Sequence, residues 1–384
     1  MLDLRRQYEQ IGAEMQRAVA EVLESQAFIL GPAVKEFERE AAADLHVKHA
    51  IGCASGTDAL WLALAALEIK PDDAVVTTPF SFFATASCIT RMGATPVFAD
   101  IDPATLNLDP AAVEHAITQD KNIKAVIPVH LYGQCADMDA FGRISRGHSI
   151  AIVEDAAQAW GAKWGGKNAG AVGDIACFSF YPTKNLSAAG DAGLVTTNDD
   201  RLAERSAMLR AHGSRQRYYH DEIGWNSRLD SVQAAVLRVK LRYVAEWNRK
   251  RGEKACKYHG MLQKAGLAPA AQTQSGASTE VRSSAPIALL ATRPEAAHVY
   301  HQYVVRAHRR DELRQFLADR GIGTEVYYPV PLHLQKCFAY LGYQEGSFPE
   351  SERAAREVLA LPIFPELTDD EQQYVVNAIA EFYS

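Results

Sequence analysis

The group in this 384-residue chain whose setting suits covalent chemistry is Lys184, the last residue of Phe178-Ser-Phe-Tyr-Pro-Thr-Lys184. It follows an apolar, strand-like run and precedes a glycine-bearing loop, Gly190-Asp-Ala-Gly193. A proline-fixed turn at the end of a buried strand can take an amine out of water, lower its pKa from about 10.4 and make it a nucleophile toward carbonyls. Twenty-nine residues earlier, Ile152-Val-Glu-Asp155 carries Glu154 and Asp155 to the end of another apolar run. A carboxylate there can hold a proton on a heterocyclic nitrogen, or it can simply cap the next turn. Further upstream, Ser55-Gly-Thr-Asp58 runs into a helical pattern at Leu60, Leu64 and Leu67. The Gly56 and Thr57 amides at that helix start either bind an anion or belong to an ordinary cap. A fourth polar cluster, Gly224-Trp-Asn-Ser-Arg-Leu-Asp230, precedes an amphipathic stretch through Leu241 and reads as a second ligand face or another cap. A nucleophilic lysine, an acid and an anion-binding helix end together describe what pyridoxal phosphate requires: a Schiff-base partner, a pyridinium partner and a phosphate cradle.

Such groups meet only if strands carry them to one edge. Short apolar runs at 74–78, 96–99, 125–129, 150–153, 176–180 and 193–197 are mostly separated by helix-sized intervals, and several are β-branched. That pattern predicts βα units on a largely parallel sheet, whose ligands gather beyond the carboxyl ends of the strands. The fold class is therefore α/β. A large domain spans 1–246 and opens with a helix whose stripe is Ile11, Met15, Ala18 and Val22. A smaller α+β domain spans 247–384, and the Ala-, Gln-, Ser- and Thr-rich stretch 261–297 reads as its loosely looped start. Within it we expect a strand at 299–306, a helix at 311–320 closed by Gly321, and a proline-punctuated segment at 327–333. A last helix is opened by the capping box Thr368-Asp-Asp-Glu371 and carries Val375, Ile379 and Phe382 on one face.

Composition narrows the classes. Forty basic against 47 acidic side chains give a net charge of −7, and no basic block offsets it, so no nucleic-acid partner is expected. The 48% hydrophobic content is that of a globular chain, which excludes a disordered regulator. The longest apolar run, 59–67, is half a membrane span, and residues 1–10 do not read as a signal peptide; a soluble, cytoplasmic protein without a membrane partner is expected. Six cysteines at least 35 residues apart, with no CxxC, read as reduced, packed thiols. No metal is expected, since His298 and His301 would face opposite sides of a strand.

Taken together the motifs resemble the sugar aminotransferases of the DegT/DnrJ/EryC1/StrS family, fold-type I enzymes built like aspartate aminotransferase. The resemblance rests on Phe28-Ile-Leu-Gly-Pro32, Ser55-Gly-Thr-Asp-Ala-Leu60, Thr78-Pro79 with Phe82 to Thr85, and Pro128-Val-His-Leu-Tyr-Gly133. It continues through Glu154-Asp-Ala-Ala-Gln158, the Lys184 segment, Gly190-Asp191, Asn226-Ser-Arg-Leu-Asp230 and Tyr328-Pro-Val-Pro-Leu-His333. It implies that Lys184 carries pyridoxal phosphate (PLP, with its aminated form PMP) and that Asp155 meets the ring nitrogen. Gln158 would bond the phenolic oxygen, with Phe82 on one ring face and Ala157 on the other. Gly56, Thr57 and Ser179 would hold the phosphate, joined by Asn226 from the second subunit of a homodimer with shared sites. Tyr181, Arg228, Tyr327 and His333 would face substrate.

The implied reaction moves an amino group from an amino acid, usually L-glutamate in such enzymes, to a keto group on a nucleotide-linked deoxysugar. The Pro-Val-Pro-Leu-His333 segment resembles relatives that aminate C3 rather than C4. Two departures stand out: Tyr327 occupies a position where many relatives have histidine, and Ser187 one where many have glycine, with Ala189 smaller than usual nearby. The alternatives are a PLP-binding regulatory protein without turnover and a PMP-dependent sugar dehydratase. Relatives of the latter kind replace the lysine with histidine, and Lys184 speaks against it.

Overall fold

The computed structural model describes residues 2–269 and 285–384. Two helices come first, α1 (Leu4–Ser25) and α2 (Pro32–Leu45). The chain then alternates through β1 (His49–Cys53), α3 (Gly56–Ala66), β2 (Ala74–Thr77), α4 (Ala84–Arg91) and β3 (Thr95–Phe98). Next come α5 (Pro110–Gln119), β4 (Ile123–Ile127), α6 (Met138–His148) and β5 (Ala151–Asp155). A small hairpin, β6 (Lys163–Trp164) and β7 (Lys167–Asn168), leads to β8 (Ile175–Ser179), β9 (Gly193–Thr197) and α7 (Asp200–Leu209).

Seven strands form one sheet in the order β1-β9-β8-β5-β4-β2-β3. The pairs from β8 to β3 are parallel, whereas β9 is antiparallel to both its neighbours, so β9 alone runs against the rest. The strands are apolar throughout because both faces are covered. Alternate residues Val76, Ile152, Phe178 and Leu194 enter a core with Phe37 of α2 and Phe141 of α6. Their neighbours Val75, Val153, Cys177 and Val195 enter the opposite core, with Leu60 of α3, Ile89 of α4 and Leu202 of α7. Stretch by stretch these strands match the expected runs. β1 is the addition: Ile51 is its one β-branched residue, which leaves little local signal.

A single 34-residue helix, α8 (Ser231–Lys264), follows, capped by the Asp230 side chain on the Gln233 amide. It passes through the boundary expected at 246. Leu237, Val244 and Trp247 pack under the large sheet, while Ala255, Tyr258 and Leu262 pack in the core of the second unit. That unit contains β10 (Ile287–Leu289), β11 (Ala296–Ala297), β12 (Tyr303–Ala307), α9 (Arg310–Ala318), α10 (Pro349–Glu357), β13 (Val358–Leu361) and α11 (Asp369–Tyr383). β10, β12 and β13 form an antiparallel sheet, whereas β11 pairs with β6 of the first unit. The capping box at Thr368 and Glu371 is present, and Val375 and Ile379 are buried as expected. Of the loosely looped stretch, 270–284 lies outside the described residues.

The expected strand at 299–306 is corrected. It begins only at Tyr303, because Tyr300 takes a left-handed backbone (φ 46°) that an extended run cannot contain. His298 stacks on the Tyr300 ring with centroids 3.8 Å apart, so the argument from opposite strand faces does not apply. Among the described residues there is still no group of three or more His, Cys, Asp or Glu placed to hold a metal. No described helix is long and apolar enough to cross a membrane. All six cysteines are free, four of them buried.

Candidate active site

The carboxyl ends of β1, β5 and β8 open onto one edge, and the opposed strand β9 begins there, since Gly193 pairs with both Cys53 and Ser179. Just past β1, Ser55 caps α3 by accepting from the Asp58 amide at 3.1 Å. The next two amides, Gly56 and Thr57, find no acceptor within the described chain. They lie against Ser179: a Cβ on Gly56 would stand 2.6 Å from the Ser179 Cβ, so only glycine lets the helix end come this close. Two free amides, a helix dipole and a serine hydroxyl form an anion cradle, and it fits a phosphate.

β5 ends in two acids with different surroundings. Glu154 accepts from the amides of Gly170, Val172 and Gly173 at 2.8, 2.9 and 2.6 Å and pairs with His130 Nε2 at 2.8 Å. Those partners outweigh its burial and hold its carboxyl below the usual range. Asp155 points the other way. Its Oδ2 accepts from the Thr85 hydroxyl at 2.8 Å and its Oδ1 from the Ala157 amide at 3.2 Å, and among the described residues no cation forms a salt bridge with it. Burial raises its pKa, and the hydrogen bonds from Thr85 and Ala157, with the charge of Lys184 after them, only partly offset it. The two early readings of Asp155 coexist: it bonds the turn, yet it keeps a desolvated carboxylate that an N–H⁺ would complement.

Lys184 ends a turn closed by its own amide, which donates to the Tyr181 carbonyl at 2.8 Å. Burial lowers its amine to about 8, against the opposing pull of Asp155. This is the desolvated amine expected from the turn. Gln158 is fixed at both ends: Oε1 accepts from the Tyr132 amide at 2.6 Å and Nε2 donates to the Tyr328 hydroxyl at 3.2 Å. Tyr132 in turn donates its hydroxyl to the Tyr327 carbonyl. Tyr327 and Tyr328, joined by a cis peptide bond, are thus drawn from the second unit onto the first. Phe82 leaves most of its ring exposed, 6.3 Å from Tyr328 between centroids, and Ala157 is partly buried behind Asp155.

The remaining expected residues divide. Tyr181 is exposed beside Ser179. Asn226 is exposed as well, held by the Arg228 guanidinium at 2.7 Å on a segment tied to α3 by a Ser227 to Asp58 bond of 3.0 Å. Among the described residues of one chain, no hydrogen bond links Asn226 or Arg228 to Asp155 or Lys184. His333 requires correction: it is 1% exposed, bonded to Glu352 at 3.0 Å and edge-on to Phe348, so it supports the segment from inside and cannot touch substrate in this conformation. Thr85, Tyr132 and Tyr328 had no assigned role from sequence. All three lay inside the quoted motifs, but their bonds span 26 to 195 residues.

Residues 9–380 match the family model described as DegT/DnrJ/EryC1/StrS aminotransferase family. A relative from Geobacillus stearothermophilus, "Pleiotropic regulatory protein", is 50% identical over 387 aligned positions, covering 100% of this chain and 98% of its own. The "dTDP-3-amino-3,4,6-trideoxy-alpha-D-glucose transaminase" of Streptomyces venezuelae is 44% identical over 381 positions, covering 99% of this chain and 95% of its own. An X-ray structure of S. venezuelae DesV matches with a TM-score of 0.92 at 44% identity, over 100% of this chain and 97% of that one.

Proposed function

Because this chain belongs to the DegT/DnrJ/EryC1/StrS aminotransferase family, whose enzymes are pyridoxal phosphate-dependent, we propose that it transfers an amino group from L-glutamate to C3 of a nucleotide-linked keto-deoxysugar. The observation that carries the reading is the meeting of an amine lowered to about 8 with a buried, cation-free carboxylate and an amide-lined helix end. The name of the S. venezuelae relative supports C3. The regulatory name of the G. stearothermophilus relative supports a reading without turnover, and the test below separates the two.

When bound, pyridoxal phosphate supplies an aldehyde for amines and a ring that accepts an electron pair. The chain does the rest. Gly56, Thr57 and Ser179 would hold the phosphate, and Gln158 and Phe82 would orient the ring. Asp155, kept in place by Thr85, holds a proton on the ring nitrogen, and that proton returns its carboxyl toward the ionised form. Lys184, with a pKa about 8, has an appreciable free-base fraction near neutral pH and can take a proton from the substrate carbon and give it back. On this reading Tyr181 and Tyr327 would face the sugar substrate. Asn226 completes the phosphate site of a second copy, which makes the active unit a homodimer, and we place it in the cytoplasm, where its free thiols stay reduced.

The test is borohydride trapping of the cofactor, followed by reverse turnover with 2-oxoglutarate on C3- and C4-amino sugar nucleotides bearing thymine or uracil. We expect trapping in the native protein, none in Lys184→Ala, and deamination of a C3-amino sugar. Trapping without turnover of any substrate would favour the regulatory reading. Trapping that survives in Lys184→Ala would remove the lysine from its role.

A further inference from the structure

We propose that His301 is a positioning residue for Lys184, acting through Asn185. This rests on Lys184 being the reactive amine, as read above, and begins with a carbonyl that can only accept. The Trp160 carbonyl takes a hydrogen bond from Asn248 Nδ2 at 2.9 Å, which turns Asn248 Oδ1 toward Asn185. Asn185 must then present its own Nδ2, which donates to Asn248 Oδ1 at 2.6 Å and to the Val299 carbonyl at 3.2 Å. Both amide protons are committed, so Asn185 Oδ1 accepts, and its partner at 3.1 Å is His301 Nδ1. His301 therefore carries its proton on Nδ1 and leaves Nε2 bare. The ring is neutral: burial disfavours its cation, and the facing charges, Lys184 and Arg251, are both positive.

The backbone that carries this ring is held from both sides. Arg251 on α8 donates to the carbonyls of Tyr300, His301 and Ile363 at 3.2, 3.3 and 3.1 Å. From the other side, Gly133 packs so closely that a Cβ there would stand 3.0 Å from the His301 backbone nitrogen. The segment holding His301 is thus clamped between the units, and its one side-chain donor fixes the residue next to Lys184. Losing that donor leaves Asn185 Oδ1 buried without a partner, and the amide must shift to find one, moving with it the peptide that aims the amine. A misplacement of about 1 Å costs about a hundredfold in rate.

Three variants test this. Asparagine places an N–H where Nδ1 sits, glutamine reaches the Nε2 position instead, and alanine reaches neither. We expect His301→Ala and His301→Gln to lower kcat roughly 10- to 100-fold with little change in KM for glutamate, and His301→Asn to restore most of the loss. A second readout needs no turnover: the pH dependence of reductive methylation of Lys184 in the cofactor-free full-length protein, followed by mass spectrometry. Its midpoint should move in the alanine and glutamine variants and return in asparagine. A glutamine variant that works while asparagine fails would overturn the proposal, because Nε2 would then be the acting atom. Equal loss in all three with a lowered melting temperature, or no loss in any, would overturn it too. If the native protein shows no turnover, the reading of the reaction fails instead, and the methylation midpoints still decide the role of His301.

Discussion

Replacing Lys184 with methionine should stabilise the cofactor-free protein at neutral pH even as it abolishes turnover. The amine is lowered from 10.5 to about 8 because burial penalises its charged form. At about 1.4 kcal/mol per pKa unit, that difference amounts to about 3 kcal/mol, and the half-buried position reduces it to about 2. Methionine keeps the length of the stem and carries no charge. Below pH 8 the amine is protonated in both folded and unfolded chains, and the folded state bears the whole cost. Between about 8 and 10.5 the folded chain sheds its proton first, so native stability rises with pH relative to the variant. Above that window both states are neutral and the cost is gone. Urea unfolding of the two cofactor-free proteins from pH 6.5 to 9.5 should therefore show a methionine advantage of about 2 kcal/mol that narrows steadily above pH 8. An advantage that does not change with pH, or a variant less stable at pH 7, would refute a desolvated amine.

Two further outcomes bear on the cradle and on the second subunit. Gly56→Ala should weaken pyridoxal phosphate binding about tenfold or more in a direct titration, because the new Cβ meets Ser179 at 2.6 Å; Gly252→Ala, with nothing within 4 Å, should bind as the native chain does. Mixing Lys184→Ala with Asn226→Ala subunits should recover activity, since each heterodimer regains one complete site. No recovery would count against sharing.

Much of the site was legible because strands deliver residues by local rules. An apolar run, a turn and an acid or amine at its end placed Asp155 and Lys184 on one edge, and a serine-glycine helix start placed the cradle. What escaped notice depends on contacts between distant segments. Thr85 approaches Asp155 across 70 residues and Tyr328 approaches Gln158 across 170, and no periodicity encodes either bond. His333 ends a proline-punctuated segment with no local sign of burial, yet Glu352 and Phe348, folded in from later in the chain, enclose it. The error at 299–306 has a local cause with no local sign: nothing about tyrosine announces the positive φ at Tyr300. The large sheet was readable because its strands are buried on both faces, while β1, with a histidine, a glycine and a cysteine among its five residues, forms by pairing with β9.

The long helix α8 also acts as a ruler. Its 34 residues extend for about 50 Å, and the face that fills one core up to Trp247 is continuous with the face that fills the other from Ala255. One residue inserted between those points would turn everything downstream by about 100° and lift it about 1.5 Å. Tyr258 and Leu262 would then leave their core. Loops on this protein can lengthen or shorten at modest cost, but the stretch between Trp247 and Ala255 has to keep its count.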